Sequence, residues 1–155
     1  MGVRGRVRCK TGYEMNSAIE LHDSELLDVE LDSRGNGTVT LDAYVHRTDG
    51  QPGVSPGDGG LQRVRFSMEM MTTAGNVGSL PATIYEGSLA LDNRNHDNVV
   101  PLPLQAAENA ILTLMLANDA RVIHISGKTV FVEPEGEFRF VERVDFSDRY
   151  PDERS

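Results

Sequence analysis

The sequence is poor in the features that mark a secreted or membrane-bound protein. Its single cysteine, Cys9, cannot form an internal disulfide, whereas secreted domains often depend on such pairs. No apolar run reaches the ~18 residues that a membrane-spanning helix needs. The first residues alternate arginine with small side chains and lack the apolar centre of a signal peptide. We therefore expect a cytoplasmic protein that does not associate with membranes.

Positive charge is also scarce. The chain has 15 basic and 24 acidic residues, which give a formal net charge of -9. Proteins that bind nucleic acids neutralise phosphates with clusters of lysine and arginine, and an acidic chain repels them. The one concentrated basic stretch is short and consists of Arg4, Arg6, Arg8 and Lys10. We therefore predict no nucleic-acid partner.

Recognisable patterns for catalysis or cofactor binding are missing as well. The sequence has no Gly-x-Ser-x-Gly elbow for a nucleophile, and neither His-x-His nor His-Glu-x-x-His for a metal. The glycine-rich segment 57–60 precedes a strand pattern, whereas a phosphate-binding loop precedes a helix. With no tryptophan and 6% aromatic residues, the chain also lacks the usual platform for sugars. We predict no catalytic residue, no metal ligand and no cofactor.

What the sequence does contain is alternation of apolar and polar residues, the mark of half-buried β-strands. Residues 27–31 and 39–45 alternate on either side of a turn rich in glycine and asparagine at 33–37, which predicts a β-hairpin. In this hairpin Leu27, Val29 and Leu31 are expected to face the core. The acidic side chains between the apolar ones form a solvated outer face that deters edge pairing, rather than a calcium site. These are Asp28, Glu30, Asp32 and Asp42.

Further segments extend the same pattern to about nine short strands. Residues 63–70 predict a third strand, and 99–104 an edge strand, because of their two prolines. The segment 48–60 holds five glycines and two prolines, which predicts a long loop. We read 110–117 as a strand with a helical turn before it. The expected fold is all-β, with a two-sheet antiparallel sandwich of the jelly-roll kind as first choice and a closed β-barrel as second.

The length of 155 residues suits one domain. The regular pattern begins near Met15. Residues 1–14 are therefore interpreted as an N-terminal extension that adds little stability, residues 15–147 as a single β domain, and 148–155 as a polar tail.

The most pointed local cluster is His22-Asp23-Ser24, since a carboxylate beside an imidazole can orient it for acid–base work or metal binding. His46 ends the second hairpin strand at the same end, on the face of Tyr44. The simpler interpretation is that Asp23 or Ser24 caps backbone N–H groups. The predicted binding residues are His22, Asp23, Asp42, Tyr44 and His46. The alternative is a small metal- or His-dependent enzyme with a site around His22, Asp23 and His46.

Two stretches carry a resemblance. The segment ELHDSELLDVEL, Glu20 to Leu31, and the segment Tyr44 to Gly60 with its phrase VHRTDGQPG resemble small bacterial β-proteins that have no assigned activity. The resemblance implies a bacterial context and no catalytic residue. We expect a non-enzymatic binding or protein-interaction module with an unidentified ligand or protein partner. A structural or immunity-type role that uses the acidic face, and self-association into a homo-oligomer, stay open.

Overall fold

The computed structural model describes residues 15–117 and 121–145, and 69% of these lie in β-strands with no helix among them. The predicted all-β class is therefore confirmed. None of the described residues belongs to a helix that could cross a membrane. The predicted extension 1–14 and the predicted tail 148–155 lie outside the described residues.

Twelve strands form the described part of the chain, and we number them in chain order. The first six are β1 Asn16–Leu31, β2 Gly37–Thr48, β3 Gly57–Met68, β4 Thr72–Ala74, β5 Ala82–Leu91 and β6 Asn95–Asp97. The last six are β7 Val99–Leu102, β8 Leu104–Ala106, β9 Ala110–Leu116, β10 Arg121–Gly127, β11 Val130–Pro134 and β12 Arg139–Val144.

All twelve strands belong to one antiparallel sheet that curls strongly into an open half-barrel. Its main path runs β4-β10-β9-β5-β1-β2-β3-β11-β8. Three strands attach beside this path: β12 pairs with β3, β6 with β5 and β7 with β1. β1 is the central strand because it pairs with β2 along one edge, and with β7 and then β5 along the other.

The predicted two-sheet sandwich is not confirmed, since β1 and β5 join the two halves of the sheet through hydrogen-bonded pairs. This seam is narrow and consists of the pairs Glu25–Thr83 and Leu26–Ala82. The second choice, a closed barrel, is not seen within the described residues, because the end strands β4 and β8 do not pair with each other.

The core lies on the inner face of the curled sheet, where both halves contribute to one cluster. Leu41 and Phe66 come from one half, Leu112 and Ile123 come from the other, and all four are completely buried. Burying a large apolar side chain stabilises a fold by roughly 1.5–3 kcal/mol. This shared core, more than the narrow seam, therefore holds the two halves together.

The predicted hairpin is confirmed as β1 and β2, but the side chains of β1 differ from the prediction. A bulge falls at Leu27, between the pairs that Leu26 and Asp28 make with β2. An extra residue shifts the alternation by one position. Leu26, which precedes the bulge, is consequently fully buried. Leu31 was also expected in the core, but it is the last residue of β1 and is 55% exposed. Val29 packs against the core as predicted.

The other strand predictions have mixed outcomes. The strand predicted at 110–117 is confirmed as β9, and the proline-containing segment forms β7 and β8, each with one partner strand among the described residues. No helical turn precedes β9, because 107–109 form a bend. The predicted strand 63–70 ends at Met68, and Met70 has a left-handed backbone with φ 53°.

The predicted long loop at 48–60 is wrong at both ends, since β2 continues to Thr48 and β3 already begins at Gly57. Glycine suits these positions of the strand because neighbouring groups already occupy the space that a side chain would need. A Cβ at Gly57 would lie 2.1 Å from the Arg47 carbonyl oxygen, and one at Gly60 would lie 2.6 Å from the Phe138 ring. The glycines therefore belong to the sheet, and close packing explains them.

Gly57→Ala should destabilise the protein by about 2 kcal/mol, because the neighbour that meets the new Cβ is backbone and cannot swing away. Urea unfolding followed by circular dichroism measures the change. The matched control is Gly136→Ala, whose Cβ would make an ordinary 3.4 Å contact with Arg63 and should be nearly neutral. Equal stability of the two variants would contradict this account of the glycine-rich strand.

Candidate functional site

The predicted cluster His22-Asp23-Ser24 lies in a long bulge of β1. Four residues, Leu21 to Ser24, stand opposite the single residue Ala43, between the Glu20–Tyr44 and Glu25–Asp42 pairs. The buried Ser24 replaces the missing ladder bonds, since its hydroxyl donates to the Glu20 carbonyl at 2.8 Å and accepts the Tyr44 N–H at 2.9 Å. The simpler interpretation of Ser24, that it bonds backbone groups, is thereby confirmed.

The outer side of this bulge carries a small titratable cluster, which we call the bulge cluster: Glu20, His22 and Asp23. One ligand atom from each lies within 4.8 Å of the others, and His22 Nε2 is 3.0 Å from Asp23 Oδ2. His22 and Asp23 are exposed, and Glu20 is half-buried. An imidazole with two carboxylates is a ligand set that divalent metals accept. Glu20 joins the predicted pair because the bulge turns both His22 and Asp23 outward, within reach of its carboxylate.

The other predicted binding residues lie on the outer face of β2, as alternation indicated, but in separate surroundings. Asp42 forms an ion pair with Arg139 of β12. His46 is completely buried, because the loop after β2 folds over it and Gly53 N–H donates to His46 Nδ1 at 2.7 Å. Among the described residues, His46 is not part of the group that could share one cation with His22. The metal- or His-dependent alternative remains a prediction.

Tyr44 connects the bulge cluster to the edge strand β12. Its ring lies over Gly59, where a Cβ would be 2.0 Å from the phenol oxygen, and its hydroxyl donates to Glu142 Oε2 at 2.6 Å. Burial raises the pKa of the Tyr44 phenol well above its usual range. The hydrogen bond to Glu142 and the charges of Glu142, Glu20 and Asp23 raise this pKa further. The phenol therefore stays neutral amid a negative surface.

A second surface lies at the far end of the β1–β2 hairpin, and the predictions did not include it. It is a groove of about 820 Å³, which we call the outer groove. Its floor is one row of paired residues on five neighbouring strands. These are Glu30 of β1, Thr38 of β2, Ser67 of β3, Phe131 of β11 and Gln105 of β8. Strands lie ~4.8 Å apart, so the row is ~19 Å long.

The outer groove is negatively charged and partly apolar. Glu30, Asp32 and Glu69 line it, and no lysine or arginine of the described residues does. Phe131 is 38% exposed in its floor, and Leu31 is 55% exposed on its rim. Exposed apolar groups rimmed by polar residues are typical of a surface that binds a partner.

Several other carboxylates on the outer face are paired with arginine. Arg65 lies 3.0 Å from Glu135 and 3.5 Å from Glu133, and Arg143 lies 3.3 Å from Asp58. The outer groove differs, because Glu30 and Glu69 form no ion pair within the described part of the chain. Glu30 and Glu69 therefore give the outer groove a negative potential.

Sequence reasoning noticed Glu30 and Asp32 but interpreted them as a solvated face. The remaining groove residues come from separate segments, and only pairing of the strands brings them into one row. One signal was available, since Phe131 lies between Val130 and Val132 and alternation points it outward. A lone outward phenylalanine marks an unusual surface position without revealing its neighbours.

Comparison of the chain with models of known protein families, with curated proteins and with solved structures found no match. The proposals below therefore depend on the geometry and charge of the described residues. The resemblance to small bacterial β-proteins stays a prediction.

The raised pKa of Tyr44 predicts a pH dependence with a definite sign. Folding favours the neutral phenol, so its contribution to stability is present below pH ~10 and is lost as the pH rises above that value. When phenolate absorbance is followed in an alkaline titration, the ionisation step of Tyr44 should come at unusually high pH and should be missing from Tyr44→Phe. Glu142→Gln should move the ionisation step of Tyr44 to lower pH, because it removes the negative charge from the group that accepts the phenol hydrogen bond. An unchanged titration in Glu142→Gln would contradict this assignment.

The metal-dependent alternative predicts that Zn²⁺ binds at the bulge cluster. Calorimetric titration should give one binding event for the natural chain and none for His22→Ala, which removes the only nitrogen ligand of the cluster. His124→Ala is the matched control, since His124 is an exposed histidine of β10 that contacts Thr113. No binding to the natural chain, or equal binding to both variants, would contradict the alternative.

Proposed function

We propose that the protein is a non-enzymatic binding module that holds a basic, extended protein segment in the outer groove. The observation that carries this proposal is the charge of the groove, which three carboxylates line without a cation from residues 15–117 or 121–145. Complementary potential across an interface favours encounter with the right partner and suppresses wrong ones. The partner class that suits this surface has several positive side chains.

The floor of the groove supports the same partner class. Arginine side chains stack on aromatic rings, and Phe131 presents an exposed ring on the fourth of the five strands of the row. The hydroxyl groups of Thr38 and Ser67 and the amide of Gln105 offer hydrogen bonds to a backbone that crosses the strands. At ~3.3 Å per residue, a row of ~19 Å accommodates about six extended residues.

A labelled synthetic peptide that alternates arginine and valine over seven positions is the test probe, read by fluorescence anisotropy. It should bind the full chain, and its affinity should fall as salt screens the charges. The triple variant Glu30→Gln, Asp32→Asn, Glu69→Gln should weaken binding about tenfold, given roughly 0.5 kcal/mol for each exposed ion pair. Asparagine retains the oxygen that accepts the turn N–H groups of Arg34 and Asn36.

The control is a second triple variant with the same change in net charge, Glu25→Gln, Asp49→Asn and Glu86→Gln. These three residues are exposed and lie outside the groove. Its affinity should match that of the natural chain. If the control weakens binding as much as the groove variant, attraction depends on net charge alone and the proposal fails. A peptide with glutamine in place of arginine should not bind.

A further inference from the structure

Charge is divided unevenly along this chain. Residues 1–14 hold four of the 15 basic residues and one of the 24 acidic ones, so they carry +3 while the remainder carries -12. The four basic residues stand at every second position of residues 4–10, which we call the basic segment: Arg4, Arg6, Arg8 and Lys10. In an extended chain, side chains two apart point the same way. An extended basic segment would therefore offer all four positive charges along one side.

We infer that the basic segment binds in the outer groove of its own chain and regulates the groove as an internal competitor of the external partner. The inference rests on the proposed function and adds its regulation. Charge complementarity supports it, because Glu30, Asp32 and Glu69 line the groove without a cation from the described part of the chain. Length supports it as well, since an extended chain covers ~20 Å from Arg4 to Lys10, and the row of the groove floor covers ~19 Å.

The first described residue lies near the β8 end of the groove. Met15 lines a smaller pocket of about 490 Å³ together with Pro103, which precedes β8, and Pro134, the last residue of β11. The two floor residues at this end of the groove are close in the chain, since Gln105 follows Pro103 by two positions and Phe131 precedes Pro134 by three. These steps cover ~7 and ~10 Å along extended strands, whereas the five chain steps between the basic segment and Met15 cover up to ~17 Å. The linker therefore has length left to cross the smaller pocket, and the basic segment reaches the groove of its own chain.

The tether also sets the direction in which the basic segment would cross the strands. Lys10 would lie at β8, and Arg4 would lie ~20 Å away beside Glu30 of β1. Between them, Arg8 would lie near the exposed ring of Phe131, on which a guanidinium group can stack.

The short linker favours the groove of the same chain over that of another copy. A flexible linker of a few residues presents its segment at an effective concentration in the mM range, which dilute copies in solution do not reach. With a dissociation constant of ~1 mM and an effective concentration of ~2 mM, the basic segment fills the groove for about two-thirds of the time. The external partner then finds a free groove for about one-third of the time, so its apparent affinity is about threefold weaker.

The single cysteine of the chain allows a direct test. Cys9 lies in the basic segment between two positive residues, so in an extended segment its side chain points away from the positive side. A nitroxide attached to Cys9 should broaden the amide NMR signal of Gln105 at the β8 end of the groove, and that of Glu30 at the other end less. The broadening should disappear at high salt, which screens the charges. It should also be missing from the groove variant, whose three carboxylates are neutralised.

A mixture of nitroxide-labelled chain and unlabelled, isotope-enriched chain distinguishes the two possible grooves. The mixture should show no broadening, because the label stays with its own chain. Broadening in the mixture would place the basic segment in the groove of another copy and overturn the inference. A labelled chain without broadening at Gln105, or with stronger broadening at Glu30, would overturn it as well.

The arginine–valine peptide measures the competition. The segment variant Arg4→Gln, Arg6→Gln, Arg8→Gln, Lys10→Gln should bind this peptide about threefold more tightly than the natural chain, because its groove is free. The matched control makes the same four changes in the groove variant, which alters the net charge equally but frees no occupied groove. Its affinity should stay nearly constant, and matching circular dichroism must show that all variants fold. Equal tightening in both backgrounds would mean that net charge alone acts, and would overturn the inference.

The two measurements separate the inference from the proposed function. If the peptide binds the natural chain but the nitroxide broadens no groove signal, the inference fails while the proposed function stands. If the peptide binds neither the natural chain nor the segment variant, the proposed function fails and the inference fails with it.

Discussion

The fold depends on how β1 changes partners at its bulge. Before the bulge this strand pairs with β7, and after it with β5. The bulged residues are held from both sides. Ser24 forms hydrogen bonds with the backbone of β1 and β2. Asn98, which has a left-handed backbone conformation, accepts the N–H groups of Leu21 and His22. Asn98 N–H in turn donates to the Gly87 carbonyl of β5. These bonds set the place where the two halves of the curled sheet meet.

The same sheet presents two chemically different regions on its outer face. Over β3 the glycines admit Tyr44 and Phe138, and β12 supplies arginines that neutralise nearby carboxylates. Toward the hairpin end, no arginine in the described part of the chain lines the row that contains Glu30 and Phe131. Negative charge on a β-face is ordinary, since it discourages edge pairing. Uncompensated charge concentrated in a groove with an exposed aromatic ring is what favours a binding role.

Alternation in the sequence by itself determined the all-β class, the hairpin of β1 and β2 and the strand β9, because a period of two residues is a local property. It could not show that Leu26 faces inward as well as Val29, since one extra residue at Leu27 shifts the alternation between them. The glycine and proline content led to the wrong prediction of a loop at Gly57, which belongs to β3 and packs against the Arg47 carbonyl of another strand. The tertiary structure alone decided which carboxylates meet arginine and which, such as Glu30 and Glu69, line a groove. Charge pairing and concavity arise between segments that are distant in the chain.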